Sequence, residues 1–237
     1  MIDFSLIMPV RNNIKGLMVT LGAFELFTHL KDKFEILLLV DNDDPDLERY
    51  IKLCGQYLLK IVVYPVKQSD NFSNDYYNWA LQHCRGTNIM VWNDDCYMQT
   101  NAWDDIVRQK IAEQPQMNGV YMVDMLDSTR RCGSNGMEFA RFPIISRKAV
   151  DAVGFFFVPT VRQYPADYVI WSIYKAVGCI IPCHDVKLQH DHNFDHVGDP
   201  SKLRFMRILE EDKKNGVFPI KPDDYINKLA EAIHGKV

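Results

Sequence analysis

Several features that mark common classes of protein are missing from this sequence. With 27 lysines and arginines against 31 aspartates and glutamates, the chain has no basic excess, so nucleic acid is not expected as its main partner. None of its six cysteines forms a CxxC pair, which argues against a zinc ribbon or a thioredoxin-like redox site and favours reduced thiols. The longest apolar runs fall far short of the roughly 20 residues that a membrane-spanning helix needs.

The glycine-rich nucleotide-binding motifs are absent too. No GxGxxG follows the first apolar run and no GxxxxGK[ST] occurs, so neither a Rossmann dinucleotide site nor a P-loop is predicted. If a nucleotide diphosphate binds, a cation rather than a glycine-rich loop is expected to neutralise its charge. The opening residues MIDFSLIMPVRNN lack a charged leader followed by a long apolar segment. We therefore expect no signal peptide and a cytoplasmic protein.

What is present is an alternation of short apolar runs and segments of helical spacing. The apolar runs are FSLIMPV, FEILLLVD, LLKIVVYP and NIMVWND, and the helical segments between them cover residues 14–29, 45–57 and 74–84. Nearly continuous apolar runs are typical of parallel strands covered on both faces. The pattern predicts an α/β fold with a doubly wound, mostly parallel central sheet flanked by helices.

The second half of the chain continues with mixed elements. We predict helices over residues 103–114, from Ser146 onward, 167–177, 201–214 and 223–234, and strands at GVYMVDM, EFARFPIIS and 179–190. Asn13 is expected to cap the first helix, and Asp44 followed by Pro45 predicts the start of the second. The two terminal helices are open to three uses: a homodimer contact, a cover over an acceptor cleft, or a membrane contact.

Two adjacent acids, Asp94 and Asp95, follow Asn93 at the end of an apolar run. Taken alone, the triplet is equally well explained as a turn or as oxygen ligands for a divalent cation such as Mg²⁺ or Mn²⁺. In open α/β sheets, ligands bind beyond the carboxyl ends of the strands. Asp41 ends the second apolar run at that same edge, and this coincidence favours the metal site.

The order and spacing of six motifs resemble family-2 glycosyltransferases of the GT-A type, within the nucleotide-diphospho-sugar transferases. The motifs are SLIMPVRNN, LLLVDNDDPD, DYYNWAL, NIMVWNDD, FPIISRKAVDAVGFF and PADYVIWSIYKAVG, and they span residues 4 to about 192. The resemblance implies a GT-A domain over residues 1–200, with a nucleotide-sugar-binding half (1–98) and an acceptor and catalytic half (99–200). A C-terminal helical extension would cover residues 201–237.

The implied activity is metal-dependent, inverting transfer of a sugar from a nucleoside diphosphate to an acceptor hydroxyl, of hexosyltransferase type. Mn²⁺ or Mg²⁺ would be the cofactor, a nucleotide sugar the donor, and a glycan or another hydroxyl compound the acceptor. The resemblance assigns Pro9, Val10 and Arg11 to the nucleotide pocket and Asp41 to the nucleobase or ribose. A surface charge for Arg11 and a helix cap for Asp41 remain alternatives.

The triplet Asn93, Asp94 and Asp95 falls on the family's DxD motif, with Asn93 replacing its first acid. Asp95 is then the best metal ligand, while Asp94 would face the donor's ribose or sugar. Loss of one charge is expected to weaken cation binding, because carboxylates supply both ligands and charge.

Asp167 matches the second acid of the family's Glu-Asp pair and would be the general base. Ala166 stands where the first acid is expected, so only one acid of the pair is present. An N-cap role for Asp167 is the structural alternative, and the two roles are compatible.

The segment VKLQHDHNFDHVGD carries histidines that the resemblance makes candidates for the cation shell. We favour His190 slightly over His192, because it lies nearest the end of the strand. A separate zinc site built from His184, His190, His192 or His196, and hence a zinc-dependent hydrolase, is one competitor. Solvated loop histidines are another, and an inactive glycan- or nucleotide-binding module is the remaining functional alternative.

A loop over residues 127–136 contains Arg130, Arg131, Gly133 and Gly136. Its arginines are suited to phosphate, so it either closes over the diphosphate or the acceptor or forms a solvated turn. The tryptophans lie in helical or strand patterns, which predicts core packing for most of them.

Overall fold

The computed structural model describes residues 1–127, 139–163, 165–191, 200–216 and 223–235. Its strands are β1 (Phe4–Val10), β2 (Phe34–Asp41), β3 (Lys60–Val66), β4 (Asn88–Val91), β5 (Cys96–Met98), β6 (Met122–Asp127), β7 (Ile144–Ser146) and β8 (Ile180–His190). Its helices are α1 (Ile14–Phe27), α2 (Leu47–Cys54), α3 (Trp103–Ala112), α4 (Arg147–Val153), α5 (Ala166–Val177), α6 (Pro200–Lys214) and α7 (Asp223–Ile233). The strands form one sheet in the order β3-β2-β1-β4-β7-β6-β8-β5.

The first half of the sheet is parallel. β1 lies between β2 and β4, and β3 extends the sheet beyond β2, each pair running in the same direction. Every residue of β2 is buried, as expected of a strand covered on both faces. The mixed α/β fold with a central sheet and flanking helices is therefore confirmed. The carboxyl ends of β1, β2 and β4 meet at one edge of this sheet.

The second half mixes directions. β7 runs antiparallel to both β4 and β6, while β8 runs parallel to β6 and antiparallel to β5. The short strand β5 was not predicted. It begins directly after Asp95, and its first residue, Cys96, pairs with His190 at the end of β8. The acidic triplet consequently forms the connection between the parallel half and the far edge of the sheet.

Local side-chain bonds set the helix ends, and one prediction was wrong. The Asn13 side chain accepts a hydrogen bond from the Gly16 amide at 3.0 Å, so the predicted cap of α1 is confirmed. The Asp44 carboxylate accepts the amides of Asn12 and Asp46, both at 2.8 Å. Asp44 thus closes a turn, and α2 begins later than predicted, at Leu47.

The segment predicted as a helix over residues 74–84 is helical but irregular. Ser73–Asn78 is a π-helix, and a 3₁₀ turn covers Leu81–His83. Strand boundaries also moved: β6 ends at Asp127, beyond its predicted end, and β7 is confined to Ile144–Ser146. Apolar spacing in the sequence does not distinguish these helix types here, because each segment covers only about one turn.

Two apolar cores cover the two faces of the sheet. Trp92 and Trp103 are fully buried in the first, where Trp92 packs on Phe24 with ring centroids 5.0 Å apart. Trp79 and Trp171 are partly buried against the second. The five cysteines of the described residues are buried free thiols: Cys54, Cys84, Cys96, Cys179 and Cys183.

The two C-terminal helices pack on the rest of the chain. Leu229 and Ala232 of α7 are buried in the second core, where the helix contacts α4 and α5. Asp212 of α6 is buried and accepts a hydrogen bond from Arg162 at 2.5 Å. None of the helices in the described ranges has the length and apolar character required to cross a membrane.

Candidate functional site

Arg11 joins the ends of β1 and β2 at the sheet edge. One of its guanidinium nitrogens, Nη1, donates to Asp41 Oδ2 and to Asp43 Oδ1, each at 2.7 Å. The hydrogen bond to Asp43 and the nearby charges raise the pKa of Arg11 above its ordinary value. Arg11 is therefore a cross-link between strand ends rather than an isolated surface charge. Pro9 and Val10, which precede it, end β1.

Asp41 is only 3% exposed, and both of its carboxylate oxygens are engaged. Oδ2 accepts from Arg11, while Oδ1 accepts a short hydrogen bond from the hydroxyl of Tyr76. The side chain thus contacts the loop and the π-helix rather than capping α2. Sequence reasoning missed Tyr76, although DYYNWAL contained it.

The acidic triplet forms a turn whose three side chains are partly buried. The amide of Cys96 donates to the carbonyl of Asn93 at 3.2 Å, which closes a β-turn. Thr20 of α1 holds that turn from one side, donating through its hydroxyl to the carbonyls of Asp94 (3.1 Å) and Cys96 (2.9 Å). The Trp92 indole donates to the Cys96 carbonyl at 2.6 Å. The two readings of this triplet as turn and as ligand set are therefore compatible.

The surroundings of Asp94 oppose the ionisation of its carboxyl group. Burial, and then the neighbouring charge of Asp95, raise the pKa of Asp94 to about 7, with a hydrogen bond from Asn13 acting in the opposite direction. A carboxyl perturbed by burial and by a like charge at a sheet edge is a functional-site candidate. A cation bound here would favour ionisation of both acids.

His190 lies against Asp95. Its Nε2 is 3.2 Å from Asp95 Oδ1, the residue is 5% exposed, and its ring packs edge-on against Phe142 with centroids 5.0 Å apart. The pairing of β5 with β8 creates this contact, supported by a backbone bond from the Asp191 amide to the Asp95 carbonyl at 3.0 Å. The histidine that the sequence favoured is thus adjacent to the acid that the sequence favoured.

The other histidines do not join this pair within the described ranges. His184 lies 3.4 Å from Asp124 instead, whereas His192 and His196 fall outside the described residues. Among the described side chains, no group of three or more histidines, cysteines or acids could hold a metal. Asp95 and His190 offer one oxygen and one nitrogen donor, which suits a cation that accepts imidazole as well as oxygen and completes its shell with phosphate and water.

Asp167 occupies the first turn of α5, after Ala166. Its carboxylate accepts the amide of Tyr168 at 2.8 Å, and it makes no N-cap bond, because the capping position belongs to Pro165. Burial raises the pKa of Asp167 to about 6, against the opposing effects of the Tyr168 amide and the charge of Arg141. A carboxyl with such a pKa is suited to accept a proton near neutral pH.

Tyr77, which was not singled out from the sequence, is affected electrostatically by the acidic triplet and by Asp167. Burial first, and then the charges of Asp94, Asp95 and Asp167, raise its pKa far above the ordinary value for tyrosine. The charges of all three carboxyl groups therefore act on the same phenol.

Part of the predicted site belongs to the segment between β6 and residue 139. Arg130, Arg131, Gly133 and Gly136 of the loop over residues 127–136 lie outside the described residues. At the start of that loop, Asp127 is 4% exposed and accepts a hydrogen bond from Arg141 at 3.3 Å. Arg141, another residue that the sequence did not single out, thereby links the end of β6 to the neighbourhood of Asp167.

No protein-family model and no curated protein matches this sequence. Solved structures do match. TarS residues 1–349 from S. aureus, in complex with UDP, aligns with a TM-score of 0.62 and 16% identity, over 98% of this chain and 71% of that one. The mannosyltransferase PcManGT from Pyrobaculum calidifontis, in complex with GDP-Man and Mn²⁺, aligns with a TM-score of 0.68 and 13% identity, over 97% of this chain and 69% of that one.

GalNAc-T7, with UDP, GalNAc and Mn²⁺, aligns with a TM-score of 0.63 and 13% identity, over 99% of this chain and 54% of that one. The three structures are GT-A-type glycosyltransferases. At these identities the likeness shows the fold alone, and it confirms the GT-A fold predicted from the motifs.

Proposed function

We propose that this chain is a metal-dependent glycosyltransferase that moves a sugar from a nucleoside diphosphate to an acceptor hydroxyl with inversion. The observation that carries the proposal is the pair formed by Asp95 and His190, 3.2 Å apart, at the carboxyl end of a parallel strand. The charges of Asp95 and of Asp167, the candidate base, both raise the pKa of Tyr77, which supports one shared site. The UDP and GDP-Man in the structural neighbours support the donor class.

The donor's diphosphate would lie at the acidic triplet. Asp95 and His190 would hold Mn²⁺ or Mg²⁺, with Asn93 contributing an amide oxygen and Asp94 facing the donor's ribose or sugar. When bound, the cation neutralises charge that develops on the departing diphosphate. The pKa of Asp94, raised by burial and then by the charge of Asp95, supports this arrangement, because a cation bound there would offset both effects.

The nucleoside would bind at the ends of β1 and β2. Pro9, Val10 and Arg11 would line its pocket, and Asp41 would accept a hydrogen bond from the base or the ribose. Arg11 and Tyr76 fix the Asp41 carboxylate in one orientation before any ligand arrives. Such preorganisation reduces the ordering cost of binding.

Asp167 would take the proton of the acceptor hydroxyl as its oxygen attacks the anomeric carbon. The new carbon–oxygen bond forms while the bond to the diphosphate breaks, and the bonding electrons leave with the phosphate oxygen. Attack on the face opposite the leaving group inverts the anomeric centre. The raised pKa of Asp167 makes its ionised form a better base than an ordinary aspartate, while it is still mostly ionised at neutral pH.

A thermal-shift panel tests the proposal with UDP, GDP, dTDP and CMP, each with and without Mn²⁺. A ligand that binds only the folded state raises the melting temperature by mass action. We expect one nucleotide to stabilise the wild type only with Mn²⁺, and Asp95→Ala to lose that response. Asp151→Ala, which removes an exposed acid of α4, is the matched control and should respond like the wild type.

Turnover of the matching nucleotide sugar then separates a transferase from a binding module. Release of the nucleoside diphosphate in the presence of metal supports the enzyme, whereas metal-dependent binding without any product supports the module. If no nucleotide stabilises the protein under any condition, while zinc alone does so, the proposal is wrong and the histidines become the site to pursue.

A further inference from the structure

A cavity of about 280 Å³ lies on the sheet, away from the acidic triplet. Its charged residues stand at the amino ends of β2 and β3, where Glu35 pairs with Lys60. Asp41 ends the same strand β2, six residues farther along. At about 3.3 Å per residue, the two ends of β2 are roughly 20 Å apart. The cavity is therefore separate from the candidate cation and nucleotide site.

The strands give this cavity an apolar base. Leu37 and Val62 pair in register and also line it. They follow Glu35 and Lys60 by two residues, so all four side chains lie on one face of the sheet. Leu37 is buried in the second core, whereas Val62 is only partly buried at the outer strand β3. A ligand in the cavity would cover the exposed part of Val62.

Tyr64 and His83 add an aromatic wall. Their rings stack with centroids 4.6 Å apart and an interplanar angle of 29°. Trp79 packs against both, with centroids 4.8 Å from His83 and 5.9 Å from Tyr64. The three rings hold one another in place, so the wall is formed before any ligand binds. Aromatic and apolar walls with a few polar groups are typical of sites for small molecules.

Two cations share one buried carboxylate beside this wall. Glu35 is 1% exposed, and its Oε2 accepts from Lys60 Nζ at 3.2 Å and from Arg85 Nε at 2.9 Å. Arg85 Nη2 donates to the same oxygen. Oε1 accepts from the Ser5 hydroxyl at 2.7 Å and from the Arg85 amide at 2.8 Å. Among the described residues Glu35 is the one acid that lines the cavity, so the lining has an excess of positive charge.

Both cations retain donors for a further partner. The side chains of Lys60 and Arg85 are 41% and 56% exposed. Within the described ranges, Lys60 uses one of its three N–H groups, and no hydrogen bond uses Nη1 of Arg85. Guanidinium and ammonium groups are the side chains that bind phosphate oxygens most strongly. The excess charge and the remaining donors together suit an anion.

We propose that this cavity binds a small sugar phosphate, with the phosphate on Lys60 and Arg85 and the sugar ring against Tyr64 and His83. The volume is just below the roughly 300–1,000 Å³ of sites for drug-sized ligands, which favours one sugar ring over a nucleotide. A phosphate group has several anionic oxygens and can accept from both cations at once. The site goes beyond the proposed function and does not depend on it.

Calorimetric titration with glucose 6-phosphate tests the proposal. EDTA is present throughout, so that no divalent cation supports binding at the acidic triplet. We expect saturable binding to the wild type with a Kd of about 1 mM or lower. Inorganic phosphate and glucose should each bind at least about tenfold more weakly, because each of them offers only part of the contacts.

Two variants of the lining locate the ligand. Lys60→Gln removes the charge but keeps an N–H donor for Glu35, and Val62→Phe fills the cavity while it leaves both cations in place. Each should raise the Kd by about tenfold or more. Lys52→Gln, which removes an exposed lysine of α2, is the matched control and should keep the Kd of the wild type. Melting temperatures without ligand identify variants that fold, and Val62→Phe decides if Lys60→Gln does not.

Four results would overturn the proposal. The first is an absence of saturable binding to the wild type, and the second is an equal Kd for Val62→Phe and Lys52→Gln. The third is loss of binding in Asp95→Ala, which would place the ligand at the acidic triplet instead. The fourth is inorganic phosphate that binds as tightly as the sugar phosphate, since the aromatic wall would then contribute nothing. All of these leave the proposed function untouched, because its own test requires Mn²⁺ and a nucleotide.

Discussion

The Asp95 carboxylate lies 3.2 Å from the His190 imidazole because the strand that follows Asp95 pairs with the end of β8. The relationship depends on backbone pairing between segments that are far apart in the sequence. It brings a carboxylate oxygen and an imidazole nitrogen together at the edge where parallel strands end, beside Asp94, whose pKa is raised by burial and by the charge of Asp95.

Removal of either partner should weaken cation binding. We expect His190→Gln to lower the affinity for Mn²⁺, in the presence of the matching nucleoside diphosphate, by at least about tenfold, since the remaining protein ligands are few. Calorimetric titration of Mn²⁺ measures this directly. His184→Gln is the control, because its ring contacts Asp124 rather than Asp95. Equal affinities for the two variants would remove His190 from the cation site.

Activity should follow the ionisation of Asp167. Its pKa of about 6 means that the basic form is lost on acidification, so kcat/KM should fall as the pH drops below about 6. Asp167→Asn should lower kcat by roughly a hundred- to ten-thousandfold at neutral pH. The check is to measure kcat/KM of the wild type as a function of pH and kcat of Asp167→Asn at neutral pH. A flat profile between pH 5 and 8 would argue against this base.

The ionised carboxylate of Asp167 should lower the free energy of unfolding. The folded-state pKa of Asp167 is raised above the ordinary value of 3.8, so between these values the folded protein binds more protons than the unfolded chain. The free energy of unfolding therefore falls as the pH rises through this window. Asp167→Asn should be more stable than the wild type by about 1–3 kcal/mol at pH 8, and the difference should shrink toward pH 4. Urea denaturation at both pH values tests the sign.

The hydroxyl of Tyr76 should matter for folding, because it is a partner of a buried carboxylate. Tyr76→Phe removes the donor to Asp41 Oδ1 and should lower the free energy of unfolding by about 1–3 kcal/mol. Tyr57→Phe, on a more exposed hydrogen bond, should cost no more than about 0.5 kcal/mol. Chemical denaturation measures the free energy of unfolding of both variants. An equal loss in the two would mean that the hydrogen bond to Asp41 stabilises the fold no more than the exposed one.

Two glycines of α1 offer a paired test of how the helix positions the acidic triplet. A Cβ at Gly16 would lie 2.7 Å from the carbonyl oxygen of Asp94, whereas a Cβ at Gly22 would meet nothing within 4 Å. Gly16→Ala should displace the triplet and weaken metal-dependent nucleotide binding. Gly22→Ala should leave binding unchanged and raise stability by about 0.5–1 kcal/mol, because alanine favours the helix. The two binding isotherms decide the matter.

The sequence predicted the parallel half of the sheet well, because its apolar runs are long enough to show burial on both faces. The same runs located Asp41 and Asp94 at one edge. It did not predict β5, since Cys96–Met98 is too short to display a pattern, and the contact between Asp95 and His190 depends on that strand. The π-helix was also missed, and with it the different surroundings of Tyr76 and Tyr77, because six residues are too few to show a period other than that of an α-helix.

The indole of Trp92 extends from the first core to the carbonyl of Cys96, directly beneath the acidic triplet. The turn that carries the acids is therefore set by the same close packing that holds Phe24 and Phe142 around this ring. The position of the acids therefore depends on core packing. A side chain held in a dense core passes small displacements on to the groups to which it is hydrogen-bonded. A substitution at an exposed position should therefore displace the acidic triplet less than the loss or gain of a methyl group in the side chains around Trp92.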